Sequence, residues 1–477
     1  MQPNSTAFKQ SSRDAIANPV LQRALENIRP GFQQKRAKAV NALPEFQALR
    51  DQGRDLKNHV LAHLDLYLER FEARVKDSGG HVHWARTATE ACDAIVDICR
   101  AAGAQMVTKG KSMVAEEIAL NDRLEADGFT VVETDLGEYI IQLRGELPSH
   151  IVAPALHLTK QEIAASFQQA HQHLPAERPL GEPRALIDEA RTVLRDKFLG
   201  AQVGITGANL LIAETGSTVI VTNEGNGDLT QNLPGIHIVV ASIEKVVPTL
   251  EDAAAILRLL ARSATGQEFS AYTTFSTGPR RRGDLDGPDE FHVVLVDNGR
   301  SGLIGSEAQD VLRCIRCGAC MNHCPVYAAV GGHAYGWVVP GPIGAALDPG
   351  LIGVEEAKHL PHASTFCGRC EEVCPMRIPL PKIMRHWREK TFERRLDAPL
   401  ARFALRAWSF AVERPWLYRG GTRIAARMMR LLGGKRGRFA SLPLAGGWTA
   451  HRDMPAPEGS TFMAAYAKHR RQAGGAA

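Results

Sequence analysis

Seven of the nine cysteines fall in two short motifs whose spacing is typical of iron–sulfur proteins. The first motif, at 314–325, reads C-x-x-C-x-x-C-x-x-x-C-P. Two residues between thiolates let three sulfurs of one turn converge on a cuboidal cluster, while the fourth cysteine, followed by proline, ligates a neighbouring cluster. A second motif is therefore expected. The chain has one at 367–375, which reads C-x-x-C-x-x-x-C-P.

The ferredoxin pattern of shared ligands divides these cysteines into two sets. The first ligand set is complete for a [4Fe-4S] cluster and contains Cys314, Cys317, Cys320 and Cys374. The second ligand set contains Cys324, Cys367 and Cys370. Ser364 stands three residues before Cys367, where a full repeat would have a further cysteine. The second cluster is therefore either a [3Fe-4S] centre or a [4Fe-4S] centre whose last iron binds Ser364, another oxygen or nitrogen ligand, or a small molecule.

Zinc is the main competitor for these motifs, because paired C-x-x-C sequences also build zinc ribbons. The C-x-x-x-C-P endings and the odd number of motif cysteines favour iron–sulfur clusters. The other two cysteines, Cys92 and Cys99, lie in an amphipathic helical pattern. Two helical turns hold them too far apart for a disulfide, so we interpret them as core thiols.

Length and composition bound the class of protein. At 477 residues the chain is expected to hold two or three domains. It has no uninterrupted apolar run long enough to span a membrane and no apolar stretch near its start that would serve as a secretory signal. Because most thiols are committed to metal, we expect a reducing, cytoplasmic location.

The net charge of +5 is unevenly distributed along the chain. Residues 385–438 carry fifteen Lys or Arg and four Asp or Glu, together with the aromatic residues Trp387, Trp408, Phe410 and Trp416. Docking to an acidic partner protein is the first interpretation of this basic region. Peripheral contact with the inner face of a membrane is the second, and a solvated surface is the third. No recognised nucleic-acid motif accompanies the charge, so we expect no nucleic-acid partner.

The pattern of the remaining chain predicts four regions. Residues 1–76 show helical periodicity and predict a helical cap, whereas 77–300 alternate strands and helices and predict an α/β domain with a parallel sheet. Residues 301–390 form the cluster domain, and 391–477 the basic helical C-terminal region. Within these regions we expect one helix from Met113 to Ala126, a strand at Tyr139–Leu143, and a Gly/Pro-rich loop without regular elements over 331–344.

The densest polar stretch outside the motifs lies between and after two apolar strands at 209–227. Glu214 and Thr215 occupy the turn between the strands, and Asn223 and Glu224 follow the second strand. These four residues are candidates for a ligand pocket, with either glutamate a candidate catalytic group. Ordinary hairpin turns are the alternative. Gly225-Asn-Gly227 is not a dinucleotide fingerprint, because it lacks the third glycine and we expect no helix to follow it.

Another turn, Lys109-Gly-Lys-Ser112, resembles a phosphate-binding loop but lacks its upstream glycine. We interpret it at most as a weak anion site at the start of the next helix.

The motifs together resemble the LutB/YkgF family of lactate utilization iron–sulfur proteins over nearly the full length. The resemblance is carried by Cys-Ile-Arg-Cys-Gly-Ala-Cys at 314–320, Gly-Gly-His-Ala-Tyr-Gly at 331–336, Pro-Gly-Pro-Ile-Gly at 340–344, and the shortened second motif. Residues 209–228 resemble the core of a LUD domain, whose α/β fold is similar to the CoA-transferase and sugar-phosphate isomerase group. Helical N- and C-terminal extensions and a helical, ferredoxin-type two-cluster domain complete the expected fold.

The resemblance implies the iron–sulfur subunit of a three-protein system that oxidises L-lactate to pyruvate. Its partners would be a cysteine-rich-domain subunit and a second LUD protein, and both clusters would be [4Fe-4S]. Alternatives are an electron-transfer subunit for another 2-hydroxy acid such as glycolate, a small-molecule transferase or isomerase with structural clusters, and a redox sensor. Because clusters move single electrons, another centre must carry out the oxidation, so this chain is more a component of an oxidoreductase complex than an autonomous enzyme.

Overall fold

The computed structural model describes residues 3–442, 446–449 and 452–474 of the chain. It divides into two compact units, one over 1–391 and the other over 392–477. The ends of the predicted N-terminal cap and C-terminal region, at residues 1–2 and 475–477, lie outside the described residues. The further predicted boundaries, after 76 and after 300, stay predictions.

The first unit opens with helices, as the apolar periodicity predicts. Proline begins α2, where Asn18 Oδ1 accepts hydrogen bonds from the amides of Val20 and Leu21 and caps the helix. A π-helical segment over Arg29–Gln34 follows it. The helices are α1 (Phe8–Ala17), α2 (Pro19–Leu25), α3 (Lys35–Asn41), α4 (Phe46–Ala62) and α5 (Leu64–Asp77).

Ten strands of this unit form two sheets. They are β1 (His81–Ala85), β2 (Met106–Lys109), β3 (Thr130–Glu133), β4 (Val203–Gly207), β5 (Leu210–Ile212), β6 (Ser217–Thr222), β7 (Ile236–Ser242), β8 (Val246–Val247), β9 (Tyr272–Ser276) and β10 (Glu290–Val296). The larger sheet has the order β1-β10-β7-β4-β2-β3 and is parallel throughout. The smaller sheet has the order β8-β5-β6-β9. The predicted parallel α/β fold is therefore confirmed.

Alternation along the central strands builds a core on each face of the larger sheet. Val294 and Val240 enter one core with the helix of Cys92 and Cys99, and Val293 and Val239 enter the other with α4 and α5. The N-terminal helices thus form one outer layer of a three-layer fold. The helices that follow are α6 (Ala88–Ala101), α7 (Met113–Glu117), α8 (Leu120–Ala126), α9 (Leu136–Arg144), α10 (Lys160–Ala170), α11 (Pro183–Gly200), α12 (Asn226–Asn232) and α13 (Leu250–Ala264).

Four local predictions were wrong. The expected strand at Tyr139–Leu143 lies inside α9, because Asp135 caps a helix there and its apolar residues pack on one face. The expected single helix from Met113 is broken at Ala119, whose φ of 56° begins α8. A helix, α12, does follow Gly225. The Gly/Pro-rich segment contains a long helix from Gly341, since Pro342 fits a first helical turn.

The cysteine motifs lie on short helices that follow the α/β fold. These are α14 (Ala319–Asn322), α15 (Pro325–Val330), α16 (Gly341–Leu351), α17 (Val354–Ala357), α18 (Arg369–Val373) and α19 (Leu380–Glu393). The second unit contains α20 (Pro399–Val412), α21 (Pro415–Gly433), β11 (Arg438–Phe439), α22 (Gly446–Thr449), β12 (Met454–Pro455) and α23 (Phe462–Gly474). Among the described residues no helix is long and apolar enough to cross a bilayer.

Candidate iron–sulfur centres and a neighbouring cavity

The two cysteine motifs fold into the same local structure. In the first, Arg316 has a φ of 58° and Gly318 a φ of 71°, and the glycine caps α14. In the second, Phe366 has a φ of 53° and Gly368 a φ of 78°, and that glycine caps α18. Left-handed backbone on both sides of a cysteine is costly for Arg and Phe, so its repetition marks a shape that both loops require.

The first ligand set is brought together around one small cavity. Cys314, Cys317, Cys320 and Cys374 all line it, together with apolar side chains that include Ile151 and Ile343. Thus Cys374, from the second motif, joins the three cysteines of the first. Within the described ranges, no three His, Cys, Asp or Glu side chains are close enough to bind a single metal ion. The four cysteines instead surround a space.

The second ligand set also lies together. The thiol of Cys370 interacts electrostatically with those of Cys324 and Cys367. Cys320 of the first set is also within electrostatic range of Cys370, which places the two sets side by side. Cys367 is exposed, whereas the other two cysteines of its set are buried.

Burial decides which charge state these thiols adopt without metal. It raises the pKa of Cys317 and of Cys370 to about 12. At neutral pH such thiols stay protonated unless a cation compensates the thiolate. Iron is such a cation, and thiolates are its usual ligands in iron–sulfur clusters. The donor chemistry of the buried cysteines therefore fits clusters.

Ser364 takes the place of a cysteine in the second motif. The amide of Phe366 donates to Ser364 Oγ at 3.1 Å. In the first motif the amide of Arg316 lies 3.4 Å from Cys314 Sγ in the equivalent arrangement. Cys314 and Ser364 thus stand at equivalent positions of the two motifs, and each carries an atom that could bind iron.

Tyr335 supplies an unpaired polar atom beside the cysteines. Its side chain is fully buried, and its hydroxyl has no hydrogen-bond partner among the described residues. Burial raises the pKa of Tyr335 well above its usual value, and Cys324, Cys320 and Cys370 act on it in the same direction. A buried hydroxyl without a partner is costly. A sulfur-rich cluster bound by the neighbouring cysteines would accept a hydrogen bond from this hydroxyl. The unpaired hydroxyl is therefore a second feature of the site that fits an iron–sulfur cluster.

Two arginines of the N-terminal helices support the second motif from behind. Arg50 of α4 donates to the carbonyl oxygen of Cys374 from Nε at 3.0 Å and from Nη2 at 2.6 Å. Arg36 of α3 donates to the carbonyl of Val373 at 2.8 Å. The sequence predicts this region only as a helical cap. The available signal was Arg50 itself, which stands on the apolar stripe of α4 between Phe46 and Gly53.

A larger cavity of about 520 Å³ lies at the carboxyl ends of the parallel strands. Such an edge is the usual binding crevice of open α/β sheets. Its wall includes segments that follow β2, β3, β4 and β6, and it also includes Arg316 from the first cysteine motif. This strand-end cavity therefore borders the first ligand set.

The four predicted pocket residues separate into two pairs. Asn223 and Glu224 line the strand-end cavity. Glu214 and Thr215 do not line it and are exposed. Glu214 accepts from the amide of Leu250 at 3.4 Å, and Thr215 Oγ1 lies 2.7 Å from Ser217 Oγ, as in an ordinary turn.

Three basic residues on the cavity wall were missed or only partly recognised from the sequence. Lys111 lines it, with Nζ 2.9 Å from the carbonyl of Val152 and 3.3 Å from the carboxylate of Glu138. Lys245 and Arg316 line it too. The adjacent helix α7 has five residues and is too short for a helix-end anion site. No local motif marks Lys245, which follows a buried strand.

A buried ionic network holds the turn that carries Lys245. Arg300, fully buried, pairs with Glu117 at 2.7 Å and with Glu244 at 3.0 Å. Burial alone would raise the pKa of Glu244, but Arg300 and neighbouring cations outweigh it and hold the pKa at about 2. Lys57 donates to the Glu244 carbonyl. These contacts fix the turn that presents Lys245, and burial lowers the pKa of Lys245 to about 8.

Three family models match the chain. They are the LUD domain over residues 68–296, the 4Fe-4S dicluster domain over 310–378, and the C-terminal domain of lactate utilisation protein B over 395–471. The fold and its cysteines therefore define an iron–sulfur protein that joins a LUD domain to a 4Fe-4S dicluster domain.

Full-length relatives narrow this class. Lactate utilization protein B of Bacillus velezensis is 43% identical over 99% of both chains, and that of Bacillus subtilis is 42% identical over 97% of this chain and 96% of its own. The uncharacterized electron transport protein YkgF of Escherichia coli is 41% identical over 98% of both. The chain belongs to the lactate utilization protein B family.

One solved structure is similar to part of the chain. A DUF162 family protein from Deinococcus radiodurans is 17% identical and covers 49% of this chain and 98% of its own, with a TM-score of 0.27. This value is too low to bear on the fold.

Proposed function

We propose that the chain is the iron–sulfur electron-transfer subunit of a three-protein system that oxidises L-lactate to pyruvate. The observation that carries this proposal is the convergence of Cys374 with Cys314, Cys317 and Cys320 around one cavity, next to the second ligand set. Two adjacent cluster sites in one chain suit a relay of single electrons. The names of the full-length relatives support lactate utilization as the setting.

In this proposal both ligand sets hold [4Fe-4S] clusters, and Ser364 stands at the fourth position of the second. Bound clusters of this kind accept and release one electron at a time. The chain's own residues bury the ligands and supply hydrogen bonds to them. The amide of Ile378 donates to Cys374 Sγ at 3.5 Å, and apolar side chains including Ile343 exclude water from the first set. Such contacts are among the factors that set reduction potential.

Partner subunits follow from the electron count. Oxidation of a 2-hydroxy acid releases two electrons, whereas each cluster carries one, so a different centre must remove them from the substrate. We place that centre in the other two proteins of the system, a cysteine-rich-domain subunit and a second LUD protein. This chain then passes the electrons toward a respiratory acceptor.

The second unit supports peripheral contact with an anionic membrane surface. Its helices α20 and α21 together carry six arginines and no acidic residue. Phe403, Trp408, Trp416 and Leu431 on these helices are 63–81% exposed. Arginine beside exposed aromatic and aliphatic side chains is the composition of helices that lie in a membrane interface. Docking to an acidic protein is the other outcome, and cosedimentation with phosphatidylglycerol vesicles against phosphatidylcholine vesicles distinguishes them.

The proposal is tested with the anaerobically purified chain and its two partner subunits. Addition of L-lactate is expected to reduce the clusters, which is measured as a loss of visible absorbance. Pyruvate is expected to reoxidise them. Glycolate in place of L-lactate should have little effect. Reduction by glycolate alone would assign another substrate, and clusters that never change redox state under turnover would overturn the electron-transfer role.

A further inference from the structure

We propose that the strand-end cavity binds an organic carboxylate that also carries a hydroxyl group and an apolar body. This inference concerns the LUD domain and goes beyond the relay role of the cysteine motifs. It rests on three polar groups of the cavity wall that have atoms without a hydrogen-bond partner, and on the size and apolar lining of the cavity.

The first of these groups is the ammonium of Lys245. The side chain is 9% exposed and lines the cavity. Within the described residues its Nζ forms no hydrogen bond or ion pair, although Glu244 is near enough to act on it electrostatically. A buried lysine that keeps its charge needs a compensating anion. A bound carboxylate would supply it.

The second group is the guanidinium of Arg316. Its Nη1 is buried and has no hydrogen-bond partner among the described residues, although the carboxyl groups of Glu244 and Asp348 are near enough to act on the guanidinium electrostatically. Because a guanidinium presents parallel N–H donors, it binds carboxylates with both oxygens engaged. Arg316 and Cys314 are both near enough to Lys245 to act on its ammonium group electrostatically. The carboxylate would therefore lie beside the first ligand set.

The third group is Asn226, whose amide oxygen is buried without a partner on the same wall. An unpaired acceptor favours a ligand with a hydrogen-bond donor such as a hydroxyl. Apolar side chains that include Ile140, Ile220 and Leu260 line the rest. At about 520 Å³ the cavity exceeds the needs of a three-carbon acid and leaves room for an apolar body.

The cavity also contains acidic groups, which shape where an anion can bind. Asp135 and Glu224 lie on the wall with Lys111, and Lys111 is already paired with Glu138. Asp135 and Glu224 repel a carboxylate from their own part of the wall. Lys245 and Arg316 attract it.

L-3-phenyllactate is a probe that has a carboxylate, a hydroxyl group and an apolar body. Its neutral amide, phenyllactamide, has the same hydroxyl group and apolar body but no negative charge. We expect calorimetry on the anaerobic, cluster-loaded chain to show phenyllactate binding, with affinity at least about tenfold weaker in Lys245→Met. Phenyllactamide should bind both proteins equally weakly. The matched control is Lys160→Met, an exposed lysine away from the cavity wall, which should bind phenyllactate as the parent does.

A second variant keeps the test decisive if Lys245→Met fails to fold. Ile220→Trp fills the cavity without removing a cation, and it should abolish phenyllactate binding while the electron paramagnetic resonance of the clusters persists. In the parent, phenyllactate should perturb that signal, because Arg316 belongs to the cysteine loop and its backbone amide donates to Cys314 Sγ at 3.4 Å. Equal phenyllactate affinity in the parent and in Ile220→Trp would overturn the inference. The inference would also be overturned if the parent does not bind phenyllactate while Lys245→Met shifts the reduction potential of the cluster. Lys245 and Arg316 would then only compensate the charge of the cluster.

Discussion

Ser364 occupies in the second cysteine motif the position that Cys314 occupies in the first. Phe366 N lies 3.1 Å from Ser364 Oγ, and Arg316 N lies 3.4 Å from Cys314 Sγ. Left-handed residues follow at the same two positions of both loops, Arg316 and Gly318 in the first and Phe366 and Gly368 in the second. The second motif therefore has the backbone of the first loop with an oxygen atom at the place of the Cys314 sulfur.

Substitution of Ser364 tests whether its oxygen completes the second cluster. We expect Ser364→Ala to convert that centre to [3Fe-4S], visible as a new signal in the oxidised protein, because the last iron would lose its oxygen ligand and only the three thiolates would still bind. Ser364→Cys should instead retain iron more firmly during chelation. The control is Ser409→Ala, which changes an exposed serine of α20. An unchanged spectrum in Ser364→Ala would show that the last iron has another ligand.

Tyr335→Phe tests the buried hydroxyl beside the second ligand set. A hydrogen bond to cluster sulfur stabilises the more negative, reduced state, so its loss should lower one reduction potential by on the order of tens of mV. Anaerobic redox titration measures this shift. Tyr327→Phe is the matched control, because that hydroxyl already donates to the carbonyl of Ser149 at 2.7 Å. Equal potentials in Tyr335→Phe and the parent would contradict the assigned hydrogen bond.

Arg50→Met tests support of the second motif by the N-terminal helices. Arg50 donates to the carbonyls of Cys374 and Glu372, so its loss leaves buried acceptors unpaired. We expect the variant to lose about 2–3 kcal/mol of stability and to release iron to a chelator faster. Arg54→Met on the same helix removes only surface ion pairs with Asp51 and Asp55, which contribute little to stability, so this variant should stay close to the parent. Similar losses in both would refute a specific role for Arg50.

His237 predicts a pH dependence of stability away from the cysteines. Burial lowers its pKa to about 3, and His292 on the neighbouring strand acts in the same direction. Because the unfolded pKa is higher, the contribution is complete above about pH 6.5 and is lost as pH falls toward 3. Between pH 7.5 and 5.5 the parent should lose on the order of 1 kcal/mol more stability than His237→Gln. Chemical denaturation at both pH values measures this, and parallel losses would contradict it.

The sequence predicted the parts of the fold that local patterns determine. Alternating apolar runs identified the parallel strands, and the cysteine spacing identified the motifs. Local patterns failed where packing or capping decided the outcome. Tyr139 belongs to a helix because Asp135 caps it, and Gly341 begins a helix despite the glycines and prolines around it.

The site was predictable to the extent that its residues are close in sequence. Asn223 and Glu224 could be placed at a strand end, which is where the cavity lies. Lys245, Arg316 and Arg50 acquire their roles only when distant segments meet. Nothing near Lys245 in the sequence indicates that β7 ends beside a cysteine loop. Such contacts follow from the order of strands in the sheet, which local periodicity does not specify.

The most direct test of two cluster sites in this chain is electron paramagnetic resonance on anaerobically purified protein, oxidised and dithionite-reduced, with iron, sulfide and zinc counted. The account predicts about eight iron and eight sulfide per chain, with two reduced [4Fe-4S] signals. Cys374→Ser should alter one signal and Cys324→Ser the other. Zinc in place of iron, with no reduced-state signal, would contradict the account.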